Sequence, residues 1–271
     1  LEEFVRKVVV LAKQVPDTAN IAAEAMKEDG TVNRGALPAI FNPEDLNALE
    51  MALQVKELLG AEVHVITMGP PAATAVLKHS LYLGADKVWL ISDRRFAGAD
   101  TLATSRVLAK AIQHIGDVSM VFAGRQAIDG DTAQVGPQVA NLLDFNLVAF
   151  ATKLEAASKD SLVLARDAEV QTEIMEAPFP LLVTVSHEAN TPRFPNATRM
   201  LQHFRDSTPI PVLDRDTLQI PEEQCGLKGS PTKVFAIKNI QLTGGNQHMY
   251  ESADSGIRAM IRDIVKDYTE V

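Results

Sequence analysis

The chain has 271 residues, enough to bury a large core in one sizeable domain or in one domain with an appendage. Its formal net charge of −9 argues against a general nucleic-acid binder, which needs a basic face for phosphates, and 46% hydrophobic against 23% charged residues is ordinary for a globular protein. The single cysteine, Cys225, rules out an intrachain disulfide and a cysteine-clustered metal centre, and with neither a bilayer-length apolar run nor a signal-peptide pattern the expected location is cytoplasmic, without membrane insertion.

Val5 to Ala12 is rich in β-branched residues and almost unbroken in apolar character after Lys7, which predicts a strand buried on both faces. Pro16, within Lys13-Gln14-Val15-Pro16-Asp17-Thr18, forbids a simple continuation, so a loop is expected at the strand's carboxyl end. Glu28-Asp29-Gly30-Thr31 is a good hairpin turn in a small excursion over residues 22–41. Asn42-Pro43-Glu44-Asp45 reads as a helix start: Asn42 caps, Pro43 takes the first position, and two acids face the positive end of the dipole. Leu46, Leu49, Ala52, Leu53 and Lys56 repeat at helical spacing, and Gly60 ends the element. Asn42 also follows a strand-like approach, a position from which it could face a ligand.

The same unit then repeats. A strand Glu62–Thr67 turns at Met68-Gly69-Pro70-Pro71 into a helix running to Leu83, and Gly84-Ala85-Asp86 leads into a strand Lys87–Ile91. The loop 92–99 ends in Gly98-Ala99-Asp100-Thr101, before a helix with Leu102, Val107, Leu108, Ala111 and Ile112 in apolar positions, and the strand 118–123 follows. Strands alternating with helices through short loops predict a parallel sheet with right-handed crossovers, a doubly wound α/β fold.

The stretch from Ala123 to Pro137 (AGRQAIDGDTAQVGP) lies between that strand and a helical run from Gln138 to Leu143. Free backbone N–H groups at the helix start, aided by Thr132 and Gln134, suit a phosphate; the alternative is an ordinary turn in which Asp131 or Thr132 caps the helix. The polar loops 13–18, 98–104 and 124–136 all follow strands and so share the sheet edge where doubly wound folds bind ligands. No G-x-G-x-x-G follows the first strand, and no P-loop motif occurs.

After Asn146 the pattern changes. Leu147–Leu154 and Ser161–Ala165 read as strands around the turn Ser158-Lys159-Asp160, and Leu181–Val185 as another buried strand. Prolines at 192, 195, 209, 211, 221 and 231 predict an extended segment over about 187–233. Ser252-Ala253-Asp254 starts a final amphipathic helix, with Ile257, Met260, Ile261, Ile264 and Val265 as its stripe, which either folds back or docks on a partner. The expected division is therefore an α/β domain over 1–188 and a C-terminal arm and helix over 189–271. The histidines show no metal spacing, Trp89 is expected in the core, and Cys225 as a lone thiol.

Lys13–Thr18, Phe41-Asn42-Pro43, Thr67–Pro70, Gly84-Ala85-Asp86, the long run Gly124–Gly136, Pro180–Thr184 and Pro192-Arg193-Phe194 stand in the order found in the β subunits of electron-transfer flavoproteins, which the chain resembles over roughly residues 5–200. The resemblance implies an adenine-nucleotide-hydrolase-like doubly wound sheet, an arm embracing a flavin-bearing α subunit, and a nucleotide site holding AMP in simple carriers or a second FAD in bifurcating ones. It places Leu11, Asn42 and Met68 around the adenosine, and Asp131, Thr132, Ala133, Gln134, Val135, Gly136 and Gln138 on the phosphates. Val15–Thr18 and the small, hydroxylated run Gly98–Ser105 look like the bifurcating branch, with Asp100, Thr101 and Thr104 beside the flavin ring. The alternative role of Asp100 and Thr101 is to cap their helix. In that branch NADH is the electron donor, one electron goes to ferredoxin or flavodoxin, and the other passes through the α-subunit FAD to a flavin-dependent dehydrogenase. The segment after Phe194 is less basic and more apolar than the lysine-rich loop of simple carriers, which points to a dedicated dehydrogenase. The rivals are a simple carrier with AMP in the β site and, from a different class, a non-redox nucleotide-binding module of the same fold.

Overall fold

The computed structural model describes residues 6–17, 37–206, 209–233 and 249–269. Val5, Thr18 and the hairpin turn expected at 28–31 lie outside the described residues. Two compact units divide the chain, residues 1–233 and 234–271.

Alternation of strand and helix builds the first unit. In chain order its elements are β1 (Lys7–Leu11), β2 (Gln14–Pro16), β3 (Ala39–Phe41), α1 (Pro43–Leu59), β4 (Glu62–Met68), α2 (Thr74–Leu83), β5 (Lys87–Ile91), α3 (Thr101–Ile115), β6 (Val118–Gly124) and α4 (Val135–Leu143). There follow β7 (Asn146–Ala157), β8 (Ser161–Asp167), β9 (Thr172–Pro178), β10 (Leu181–Val185), α5 (Ala197–Asp206) and β11 (Val212–Leu213). The main sheet has nine strands in the order β11-β5-β4-β1-β6-β10-β7-β8-β9. Pairing is parallel from β11 through β7 and antiparallel across β7, β8 and β9.

The apolar strands are apolar because both faces are covered. Val8 and Val10 enter one core layer with Leu49, Leu53 and Leu77 of α1 and α2. Val9 and Leu11 enter the opposite layer with Val107 and Ile112 of α3 and Val139 of α4. Burying each such side chain contributes ~1.5–3 kcal/mol, which makes this double layer the main stabilising feature of the unit. Gly60 ends α1 in the left-handed conformation, as a glycine after the last turn allows.

Several elements differ from the sequence expectation. Pro16 does not stop strand formation: Gln14–Pro16 pairs antiparallel with Ala39–Phe41 in a separate two-stranded ribbon, where an absent N–H is tolerated. α4 begins at Val135 rather than Gln138. β9 is an additional edge strand, and Ala197–Asp206, expected as extended chain, is helical. The prolines at 209, 211 and 221 leave room for β11, which adds to β5, and for Leu213, Leu218, Ile220 and Cys225 to be buried in the α3-side core. Trp89 is only partly buried; it packs on that core and donates to His64 Nδ1 at 3.3 Å.

In the second unit, α6 (Asp254–Thr269) starts where expected, and Ile257, Met260, Ile261, Ile264 and Val265 along it are exposed. Among the described residues no helix is long and apolar enough to cross a membrane.

Candidate functional site

The strand order reverses at β1: the chain proceeds to β4 and β5 on one side and returns to β6 on the other. The carboxyl ends of β1 and β6 are therefore the switch point, where the loops after them diverge and leave a crevice. The first turn of α1 holds these loops in place. Asn42 stands at the N-cap position but makes no side-chain cap bond. Fully buried, it instead donates through Nδ2 to the Gln126 carbonyl at 2.9 Å and accepts from the Ile128 N–H at 3.1 Å. Glu44 accepts from the Gln126 N–H at 2.8 Å and pairs with Arg125 at 3.0 Å.

Asp45 joins the two strand ends directly. One carboxylate oxygen accepts from the Lys13 N–H at 2.8 Å, and the other from the Gly124 N–H at 3.0 Å. Burial pushes its carboxyl up to about 7, against the opposing pull of Asn42, the two amides and the Lys13 charge. The approach is close enough to require glycine at 124, where a Cβ would lie 2.5 Å from Asp45 Oδ1 and 2.8 Å from the Glu44 carbonyl carbon. Lys13 Nζ in turn reaches Asp129 at 2.7 Å.

Beyond Asp129 the loop changes hand twice. Asp131 and Ala133 have φ of 49° and 52°, and Gln134 returns to the right-handed region at φ −98°. A left–right alternation turns successive N–H groups toward one side, a concavity suited to an anion. The amides of Thr132, Ala133 and Gln134 have no acceptor among the described residues. The first amides of α4 follow directly, unbonded by helix geometry. The orphan donors thus fit a phosphate-bearing group.

The α3 start closes on this loop. Thr101 Oγ1 donates to Gln134 Oε1 at 2.9 Å, and Ser105 Oγ to Gln138 Oε1 at 2.9 Å. Thr104 is half-buried three residues on from Thr101. Asp100 caps α3 by accepting from the Ala103 N–H at 2.9 Å, and its other oxygen accepts from the N–H and hydroxyl of Thr232 at 3.0 and 2.8 Å. Leu11 belongs to the α3-side core, and Met68 and Val135 are partly buried against it. Met68 also lines a 270 Å³ cleft with Gln14, Val15 and Pro16.

The structure thus brings Thr101, Gln134 and Gln138 into contact. Asn42 sits behind the loop, bonded to its backbone. The space at Gly136 faces the sheet: a Cβ there would lie 2.7 Å from Thr184 Cγ2 of β10, so this glycine permits close helix–strand packing. Sequence reading missed Asp45 as a clamp, Ser105 as a partner of Gln138, and Ser230 and Thr232 as partners of Asp100. Only Ser105 carried a signal, four residues after Thr101 on the same helix. Among the described residues no group of three or more His, Cys, Asp or Glu could hold a metal ion.

A doubly wound parallel sheet with an anion-suited loop and a helix start meeting at its switch point defines a class, the α/β proteins whose ligand crevice lies at the carboxyl edge of the sheet. A family model of the electron transfer flavoprotein domain matches residues 29–206. The chain is 40% identical over 259 residues to the electron transfer flavoprotein subunit beta of Thermoanaerobacterium thermosaccharolyticum, covering 96% of each. It is 41% identical over 242 residues to the caffeyl-CoA reductase-Etf complex subunit CarD of Acetobacterium woodii, covering 89% of this chain and 90% of that one. Protein FixA of Azotobacter vinelandii is 42% identical over 239 residues, with 85% and 84% covered. The chain belongs to the electron transfer flavoprotein family, in its β-subunit branch.

Proposed function

We propose that the chain pairs with an FAD-containing electron-transfer flavoprotein α subunit, and that its switch-point site holds a second FAD in a bifurcating carrier. The observation that carries this reading is the meeting of the orphan amides at 132–134 with the Thr101 hydroxyl across Gln134. In this reading the loop from Asp131 to Gly136, with Gln138, receives the phosphates. Leu11 and Met68 form the adenosine floor, and Asn42 fixes the loop from behind. Thr101 and Thr104 offer hydroxyls to the ring's polar edge.

A bound flavin supplies one- and two-electron redox chemistry, while the chain binds, orients and shields it. NADH is the donor, ferredoxin or flavodoxin the low-potential acceptor, and a dedicated flavin-dependent dehydrogenase the other outlet. Two relatives support the dedicated dehydrogenase by their names: CarD as a subunit of a caffeyl-CoA reductase-Etf complex, and the acryloyl-CoA reductase electron transfer subunit gamma of Anaerotignum propionicum, 40% identical over 236 residues. The surface after Pro192 supports it physically. Arg193 is locked onto Glu50 at 2.8 and 2.9 Å, and beyond it Phe194, Leu201 and Phe204 are exposed. An apolar face of this kind suits a standing contact better than a fast electrostatic encounter.

Nucleotide extraction from the complex purified with its partner tests the reading. Two FAD per heterodimer are expected, with NADH oxidation that requires both acceptors together. One FAD and one AMP would return the chain to the simple carriers, and absence of flavin to a non-redox module.

A further inference from the structure

Residues 209–233 form a strap over the loop that leads into α3. Its first part extends the sheet: Leu90 N–H donates to the Pro211 carbonyl at 2.9 Å and Ser92 N–H to the Leu213 carbonyl at 3.1 Å. Its middle is anchored by Leu218, Ile220 and Cys225, buried with Phe96 and Leu108. Its end grips the loop polypeptide itself. Leu227 N–H donates to the Ala97 carbonyl at 3.1 Å, and Ser230 Oγ accepts from the Asp100 N–H at 2.8 Å. Ser230, itself buried, also donates to the Gly226 carbonyl at 2.7 Å. Thr232 completes the clamp on the free oxygen of the Asp100 carboxylate.

Both carboxylate oxygens of Asp100 are thus engaged within the chain. One oxygen caps α3 and the other is held by the strap, while the next residue, Thr101, bonds Gln134 of the anion-suited loop. Thr232 is hydrogen-bonded to Asp100, Asp100 is followed directly in the chain by Thr101, and Thr101 is hydrogen-bonded to Gln134, so one helix start joins the strap to the loop. Small displacements at a helix cap are transmitted along such packed, bonded elements.

We infer that Ser230 and Thr232 are positioning residues for the nucleotide site, setting the α3 wall against the 131–138 loop through Asp100 without touching the ligand. This rests on the nucleotide-site reading above. The chemistry that matters is the pair of hydroxyls, so conservative substitutions separate it from general packing. The full chain, stripped of nucleotide, is titrated calorimetrically with FAD and with AMP. Hydrogen exchange at the amides of 101–104 is followed in parallel. In Ser230→Ala/Thr232→Val the dissociation constant for either nucleotide is expected to rise about tenfold, the loss of one to two net hydrogen bonds, with faster exchange at 101–104. Thr232→Ser, which keeps the hydroxyl, is expected to bind like wild type, and Thr232→Val alone to weaken binding by about threefold, which serves if the double variant does not fold. Faster exchange with unchanged affinity would overturn the inference. Wild-type chain that binds neither nucleotide would overturn the functional reading itself and the inference with it, a failure visible before any variant is made.

Discussion

Gly136→Val is expected to lower the unfolding free energy of the nucleotide-free chain by about 3 kcal/mol, the upper part of the range for overpacking a close-packed core. Helix propensity acts in the opposite direction, since replacing glycine inside a helix gains at most about 1 kcal/mol. Sterics win because a Cβ at 136 would lie 2.7 Å from Thr184 Cγ2. Thr184 has little freedom to retreat: it is buried on β10, and its hydroxyl accepts from the Phe150 N–H at 3.1 Å. Thr184→Ser removes the offending methyl and keeps that hydrogen bond, so Gly136→Ala combined with Thr184→Ser is expected to recover most of the loss seen for Gly136→Ala alone. Denaturant unfolding of the four chains reads this directly. Cofactor binding should fall together with stability, because the helix start and its amides move with the backbone. A Gly136→Val chain of full stability that loses only nucleotide affinity, unrelieved by Thr184→Ser, would return this glycine to a direct role at the phosphate.

What could be read from the residues follows a physical divide. Strands buried on both faces announce themselves: β1, β4, β5, β6 and β10 are predominantly apolar because a position between two helix layers has little access to water. Helix ends with local chemistry were also legible, as with Pro43 opening α1, Gly60 closing it and Asp100 capping α3. β9 was not, because it is a sheet edge whose residues are mostly exposed, so Thr172–Pro178 carries no alternation. α5 was hidden by the prolines on either side of it, and its apolar residues Leu201 and Phe204 face solvent rather than a core.

The site divides in the same way. Its loops could be located because each follows a strand of a parallel sheet. What could not be read is which side chains reach across the chain. Asn42 looks like a cap and instead bonds residues 126 and 128; Asp45 looks like a dipole partner and instead bonds Lys13 and Gly124. Asp100 meets Thr232 across 132 positions, through a strap that also pairs with β5. Such contacts depend on register and topology, which no local window contains.

Asp45→Asn is expected to cost more at pH 5.5 than at pH 8. The substitution keeps the shape but leaves an amide with only one accepting oxygen for the two N–H groups of Lys13 and Gly124. One buried donor then faces an NH2 group, a loss of about 1–3 kcal/mol. The pH dependence comes from the carboxyl itself. In the fold, burial raises Asp45 from 3.8 to about 7, so between those values the folded protein holds a proton that the unfolded chain has released. That linked stability is complete below about pH 4 and is lost as pH rises through 7. The asparagine chain lacks it at every pH. From pH 5.5 to 8 the difference between wild type and variant should therefore shrink by about 2 kcal/mol, at about 1.4 kcal/mol for each unit below 7. The charged neighbours Lys13, Glu44 and Arg125 are retained in the variant. Urea unfolding of both nucleotide-free chains at the two pH values measures it. A cost that is equal at both, or larger at pH 8, would mean that Asp45 stays ionised in the fold and that the two amides and the Lys13 charge outweigh its burial.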